Sequence, residues 1–148
     1  MIQISALAAS DRTEWLPLWQ GYLAFYESDV SDEQTALTFE RLVDPGYPIH
    51  GAIARDAAGS AIGLVHWLTH PATWSAGEYC YLEDLFVSSD ARGSGAGRAL
   101  IGTVSDWARD RGCAKVYRLT AETNATARAL YDQVATHTGF VHYEIPLE

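Results

Sequence analysis

The run Arg92-Gly93-Ser94-Gly95-Ala96-Gly97-Arg98 constrains this chain more than any other stretch. Before it lies Tyr79–Val87, a near-continuous apolar run of strand character broken only by Glu83 and Asp84. After it comes a helical period in Leu100, Ile101, Val104, Trp107 and Ala108. Glycines permit positive φ and let a ligand approach the backbone closely. A helix amino terminus presents unpaired N–H groups and a partial positive charge, which suits a phosphate. Arg92 and Arg98 can add charge-assisted hydrogen bonds. Two familiar phosphate loops fail on inspection. A P-loop needs GxxxxGK[ST], and no Lys-Ser or Lys-Thr is present. A dinucleotide fingerprint starting at Gly93 needs glycine or alanine at position 98, which is Arg98.

The flanking pattern sets the architecture. Residues 2–7 alternate as a first strand. Asp11 is a candidate N-cap, with Glu14 completing a capping box, and Trp15, Leu18, Trp19, Tyr22, Leu23 and Tyr26 predict an amphipathic helix over 12–27. A second helix is expected after Ser31 and ends before Pro45. Ile49–Arg55 and Ala61–Thr69, around Gly59, read as an antiparallel hairpin. Gly112 suits the end of the helix that follows the glycine loop. Lys115–Leu119 is a further strand, a helix from Asn124 to His137 stops at Gly139, and Val141–Ile145 is expected to close the sheet. The order β-α-α-β-β-β-α-β-α-β predicts an α/β fold with a mixed sheet and helices on both faces. With no repeat or linker, residues 1–148 are expected to form a single domain.

Charge narrows the ligands. Nineteen acids against ten bases give a net charge of −9, so no basic surplus exists to displace counterions from nucleic acid. Seven of the ten Lys and Arg residues lie after position 74, which places an anionic ligand in the second half. Cys80 and Cys113 form no CxxC pair and read as core thiols. The start MIQISALAASDRTEW lacks the regions of a signal peptide, and no apolar run approaches the ~20 residues that span a bilayer. The expectation is a cytoplasmic, reduced protein without a membrane partner. His66 and His70 are four apart on a predicted strand, about 13 Å, too far to share one ion. No metal site is expected.

Arg92-x-x-Gly95-x-Gly97 after Leu85-Phe86-Val87 resembles the acetyl-CoA pyrophosphate loop of the GNAT superfamily of N-acetyltransferases. Asn124, Ala127, Leu130 and Tyr131, followed by Gly139-Phe140, are similar to that superfamily's second motif. Tyr81-Leu82-Glu83-Asp84-Leu85-Phe86-Val87 resembles the branch holding polyamine, small-amine, D-amino-acid and histone acetyltransferases. Tyr26-Glu27 is similar to the acceptor segment of the polyamine enzymes. The resemblance implies the GNAT fold over essentially the whole chain and a homodimer. It also implies acetyl-CoA held by Leu85, Phe86, Val87, Arg92, Gly93, Ser94, Gly95, Ala96, Gly97, Arg98, Asn124, Ala127 and Tyr131.

Direct acetyl transfer makes three chemical demands. The amine is almost wholly protonated at neutral pH and must lose a proton. The thioester carbonyl needs a fixed donor. The departing thiolate needs a proton or a stabilising hydrogen bond. Tyr131 is the candidate for the thiolate, two turns from Asn124 on one helix face. The competing reading is a core aromatic beside Leu130 and Val134. Glu83 and Asp84 stand out because strands disfavour acids. Glu83 is the candidate base, and Tyr26, Glu27, Glu83 and Asp84 are the candidate acceptor contacts. Consecutive strand residues point to opposite faces, so both acids reach one site only if a bulge intervenes. The expected activity is acetyl transfer to the primary amine of a small molecule such as a polyamine, an amino acid or a lysine-like amine. A protein or peptide acetyltransferase and a non-catalytic acyl-CoA-binding module remain as alternatives.

Overall fold

The structure, a computed structural model, describes residues 1–148. The chain divides into two units, Met1–Tyr117 and Arg118–Glu148. In the first, the elements run β1 (Gln3–Ala6), α1 (Arg12–Phe25), α2 (Asp32–Val43), β2 (His50–Arg55), β3 (Ala61–His70), β4 (Tyr79–Val87), α3 (Ala96–Asp110) and β5 (Lys115–Tyr117). The second holds α4 (Ala125–Val134). None of the helices is long and apolar enough to cross a membrane.

The five strands lie in the order β1-β2-β3-β4-β5, antiparallel up to β4 and parallel between β4 and β5. Alternation along the strands divides the core between two faces. Ile53 and Leu64 face α1 and α2, among Trp15, Leu18, Trp19, Phe39 and Leu42. Ala52, Ala54, Val65, Trp67 and Leu82 face α3 through Leu100, Val104 and Ala108. Helices therefore cover both faces, as the element order predicts. Ile53, Leu64, Leu82 and Leu100 are fully buried, and each such side chain stabilises the fold by about 1.5–3 kcal/mol.

Gly21 sets how closely α1 seats on the sheet. A Cβ there would come within 2.9 Å of the tip of the Phe86 ring, so a side chain would force the ring or the helix to move. Ser31 caps α2 by accepting from the Gln34 amide at 3.1 Å. The close approach at Gly21 sets the carboxyl-terminal half of α1 against β4.

Four expectations need correction. Asp11 does not cap α1: its backbone is helical, its Oδ2 accepts from the Ala8 amide at 2.8 Å, and Arg55 Nη2 reaches Asp11 Oδ1 and Glu14 Oε1, each at 2.8 Å. The ion pair with Arg55 uses both carboxylates that the capping box needed. The fifth strand ends at Tyr117 rather than Leu119. Helix α4 ends at Val134 rather than His137, because Ala135 is already extended and two β-branched threonines follow. Residues Val141–Ile145 form no strand. Val141, Tyr143 and Ile145 alternate correctly but are 74%, 87% and 87% exposed. Alternation selects a face to bury, but only a ladder of hydrogen bonds makes a strand.

Candidate active site

The β3–β4 ladder is regular from Gly63↔Val87 to His66↔Asp84, and then shifts so that Trp67 pairs with Leu82. Glu83 is the extra residue of a β-bulge. That bulge is what the adjacent acids require to depart from opposite-face geometry. Glu83 is exposed, while Asp84 is half-buried under α1.

Asp84 sits in a chain of hydrogen bonds. Tyr22 Oη donates to Asp84 Oδ1 at 2.7 Å, and His66 Nδ1 lies 2.9 Å from Asp84 Oδ2. On its far side, His66 Nε2 accepts from Trp15 Nε1 at 3.1 Å. An indole N–H can only donate, so the proton of His66 belongs on Nδ1, and a neutral imidazole donates to the Asp84 carboxylate rather than forming an ion pair with it. Trp15 and Trp19 stack at 5.5 Å, and Trp19 and Tyr22 at 5.7 Å. The aromatic row continues to Tyr26, with Tyr22 and Tyr26 edge to face at 5.0 Å. Tyr26 is the C-cap of α1, and Glu27 follows with φ of 52°, the left-handed region that a non-glycine residue seldom adopts.

The same end of α1 borders the glycine loop. The Arg92 guanidinium lies 5.7 Å from the centre of the Phe25 ring. Tyr22 meets Phe86 edge to face at 6.4 Å. On β4, Phe86 packs toward α1 while Leu85 and Val87 pack toward α3. Gly93 and Gly95 have φ of 82° and 88°, and nothing lies within 4 Å of a Cβ built on either. Gly95 is the N-cap of α3 and brings no side chain to close its first turn. Ser94 Oγ takes a long bond from the Ala96 amide at 3.4 Å. Ala96 is buried, Gly97 half-buried, and Arg92 and Arg98 are exposed. A pyrophosphate fits this cradle: open space over two left-handed glycines, a helix start without a side-chain cap, and a guanidinium on each flank.

The remaining predicted residues lie in the second unit. Asn124 Oδ1 accepts from the Ala127 amide at 3.3 Å, so Asn124 is the N-cap of α4. Tyr131 is half-buried and accepts from Arg118 Nε at 3.3 Å. With that lone pair occupied, the phenol's own O–H is left to donate elsewhere.

Burial pushes the Cys80 thiol up to about 11, with a smaller contribution from Cys113, so it is no nucleophile near neutrality. His50 packs against Trp107 at 4.7 Å. Burial lowers its pKa, assisted by the nearby Arg111 guanidinium.

Sequence reasoning considered His66 only as a metal ligand and treated Trp15 only as core. Their link to Asp84 depends on strand register. Pairing the two predicted strands around His66↔Asp84 is the signal that could have exposed it.

The chain matches the Acetyltransferase (GNAT) family over residues 15–135. It is 37% identical to the D-amino-acid N-acetyltransferase HPA3 of Saccharomyces cerevisiae, across 97% of this chain and 89% of that protein. A shorter match, 37% identical across 40% of this chain and 35% of the relative, is to the thialysine N-epsilon-acetyltransferase of Bos taurus. In structure it is similar to the aminoglycoside acetyltransferase AAC(6')-Iy in complex with a CoA bisubstrate analog. That likeness has a TM-score of 0.85 at 18% identity, covering 99% of this chain and 98% of the other.

Proposed function

Because the chain belongs to the GNAT family and is an acetyl-CoA-dependent N-acetyltransferase, we propose that it acetylates the primary amine of a small molecule, an amino acid, a lysine-like amine or a polyamine. The similarity to enzymes named for D-amino acids and thialysine supports this range. The observation that carries the acceptor reading is the bulge, which sets Glu83 beside an Asp84 held by Tyr22 and His66.

Acetyl-CoA supplies an activated acetyl thioester. The amides from Gly93 to Arg98, with Arg92 and Arg98, hold its pyrophosphate, and Leu85, Phe86 and Val87 line its pantetheine arm. Asn124 and Ala127 contribute cofactor contacts from the start of α4. Asp84 anchors the acceptor ammonium, its charge undiminished by the two neutral donors that hold it. Glu83, exposed on the bulge, accepts the amine proton directly or through water. The free amine then attacks directly. Tyr131 donates its O–H to the departing sulfur while Arg118 holds the phenol oxygen. Tyr26 and Glu27 border the acceptor. The proposal includes a single domain acting as a cytoplasmic homodimer, for which sedimentation of the purified chain is the check.

An acetyl-transfer screen over D- and L-amino acids, lysine-like amines, diamines and a basic peptide tests the reading. Small amines should be turned over, with the peptide a poor competitor. Preference for the peptide would move the chain to protein acetylation, and acetyl-CoA binding without any turnover would make it a binding module.

A further inference from the structure

Two buried side chains behind the acceptor acid, Trp15 and His66, form with it a directed line of hydrogen bonds. Trp15 is 1% and His66 5% exposed, and the Asp84 side chain is 14% exposed. They come from three elements, α1, β3 and β4, so no local sequence preference brings them together. The direction of each bond follows from the first. Trp15 Nε1 only donates, so His66 Nε2 accepts at 3.1 Å, and His66 Nδ1 donates to Asp84 Oδ2 at 2.9 Å. Both ring nitrogens are then committed. The ring cannot serve as the acceptor's base, since its basic nitrogen points away from Asp84 and into the indole.

The surroundings hold the ring in that pose. Trp15 and Trp19 pack on it with centroids at 6.1 and 5.6 Å. A Cβ on Gly51 would lie only 3.3 Å from its Cδ2, so β2 closes over the ring edge. From α2, Phe39 packs on Trp15, and Thr35 Oγ1 accepts from Trp19 Nε1 at 3.2 Å, so the second indole packs on the histidine but its N–H does not compete for a ring nitrogen.

We propose that Trp15 and His66 are positioning residues for the amine acceptor: the indole fixes the Nδ1–H tautomer of His66, and that tautomer holds Asp84 as an oriented, charged acceptor. The role rests on the assignment of Asp84 to the ammonium given above. A tautomer held only by solvent would leave Asp84 facing a lone pair part of the time, which repels a carboxylate. Burying the tautomer switch under α1 removes that alternative.

The test has a structural arm and a kinetic arm. Nitrogen-15 NMR of histidine-labelled full-length protein, at mildly alkaline pH, should show His66 as the Nδ1–H tautomer. Trp15→Phe should add a fraction of the Nε2–H form and raise the amine KM. Trp15 is a core residue, so His66→Leu and His66→Asn provide a second route. His66→Leu should raise the amine KM by roughly ten- to a hundredfold, the weight of one hydrogen bond to a charged group. The acetyl-CoA Kd should stay within about twofold, since no cofactor contact is touched. His66→Asn keeps an N–H near the Nδ1 position and should recover most of the loss. A purely structural histidine would show no such split and no rescue. An Nε2–H tautomer in the unmodified protein, or equal defects in the Leu and Asn variants, overturns the proposal. Absence of turnover with every amine sinks the acceptor assignment and the positioning role together, while the NMR signal still reports the tautomer on its own.

Discussion

The Tyr22 phenol and the Asp84 carboxylate, 62 positions apart in sequence, meet at 2.7 Å and tie the end of α1 to the bulge of β4. Tyr22 also stacks on Trp19 and meets Tyr26 and Phe86 edge to face. Tyr22→Phe keeps the ring and deletes the donor. The expected outcome is an amine KM raised about tenfold, in keeping with one lost hydrogen bond to a charged group, and an unchanged melting curve to within a few degrees. Steady-state kinetics with varied amine, beside a thermal scan, checks both.

The acids themselves are tested by amides of the same shape. Asp84→Asn should lower kcat/KM for the amine while acetyl-CoA affinity holds, with a larger defect for diamines than for monoamines if a second ammonium is also attracted. Glu83→Gln should lower the rate most at neutral pH and recover as the pH rises and more amine is already free. Normal turnover by both folded variants would place the acceptor pocket elsewhere.

For the cofactor, Gly95→Val puts a β-branched residue at φ of 88° on the N-cap of α3. Space is not the obstacle, because nothing lies within 4 Å. The cost is backbone strain of order 1–3 kcal/mol, which the loop can relieve by leaving the binding conformation. Calorimetric titration should show the acetyl-CoA Kd raised by about tenfold or more, with the circular dichroism spectrum of the native protein.

Tyr131→Phe removes one hydroxyl and almost no volume. Loss of a general acid typically lowers kcat by roughly 10²–10⁴-fold, and acetyl-CoA binding should barely change. A near-normal kcat in a single-turnover assay returns Tyr131 to a packing role.

His50 makes stability depend on pH. Its ring is harder to protonate folded than unfolded, through burial and the Arg111 charge. The stabilisation from its neutral form is complete above the ordinary value of 6.5 and is lost as pH falls below it. Urea midpoints should therefore drop between neutral and mildly acidic pH. The drop should be smaller in His50→Gln, which cannot take up the proton.

Much of the architecture was legible because it rests on local signals. The start of α2 after Ser31, its arrest before Pro45, and the limits of β4 each follow from residues within one or two turns of the event. The glycine loop was legible for the same reason. What escaped came from distant partners. Arg55 took Asp11 and Glu14 from the capping box, and the Trp15–His66–Asp84 line needs the register of two strands and the seating of α1. The expected strand at Val141–Ile145 failed on the opposite ground: its alternation is real, but alternation says nothing about an available edge.

Glu83 is the residue that the β3–β4 ladder passes over. Trp67 and His66 are neighbours whose partners, Leu82 and Asp84, are not. Loss of a single codon here would bring those partners into adjacency and leave every other pair in place. The straightened strand would suit the sheet at least as well, yet the acid beside Asp84 would be gone. One inserted residue thus separates what the scaffold needs from what the reaction needs. Shortening the gene at that point is expected to yield a chain that folds, binds its donor and still holds the acceptor at Asp84, yet has lost the group that takes the amine's proton.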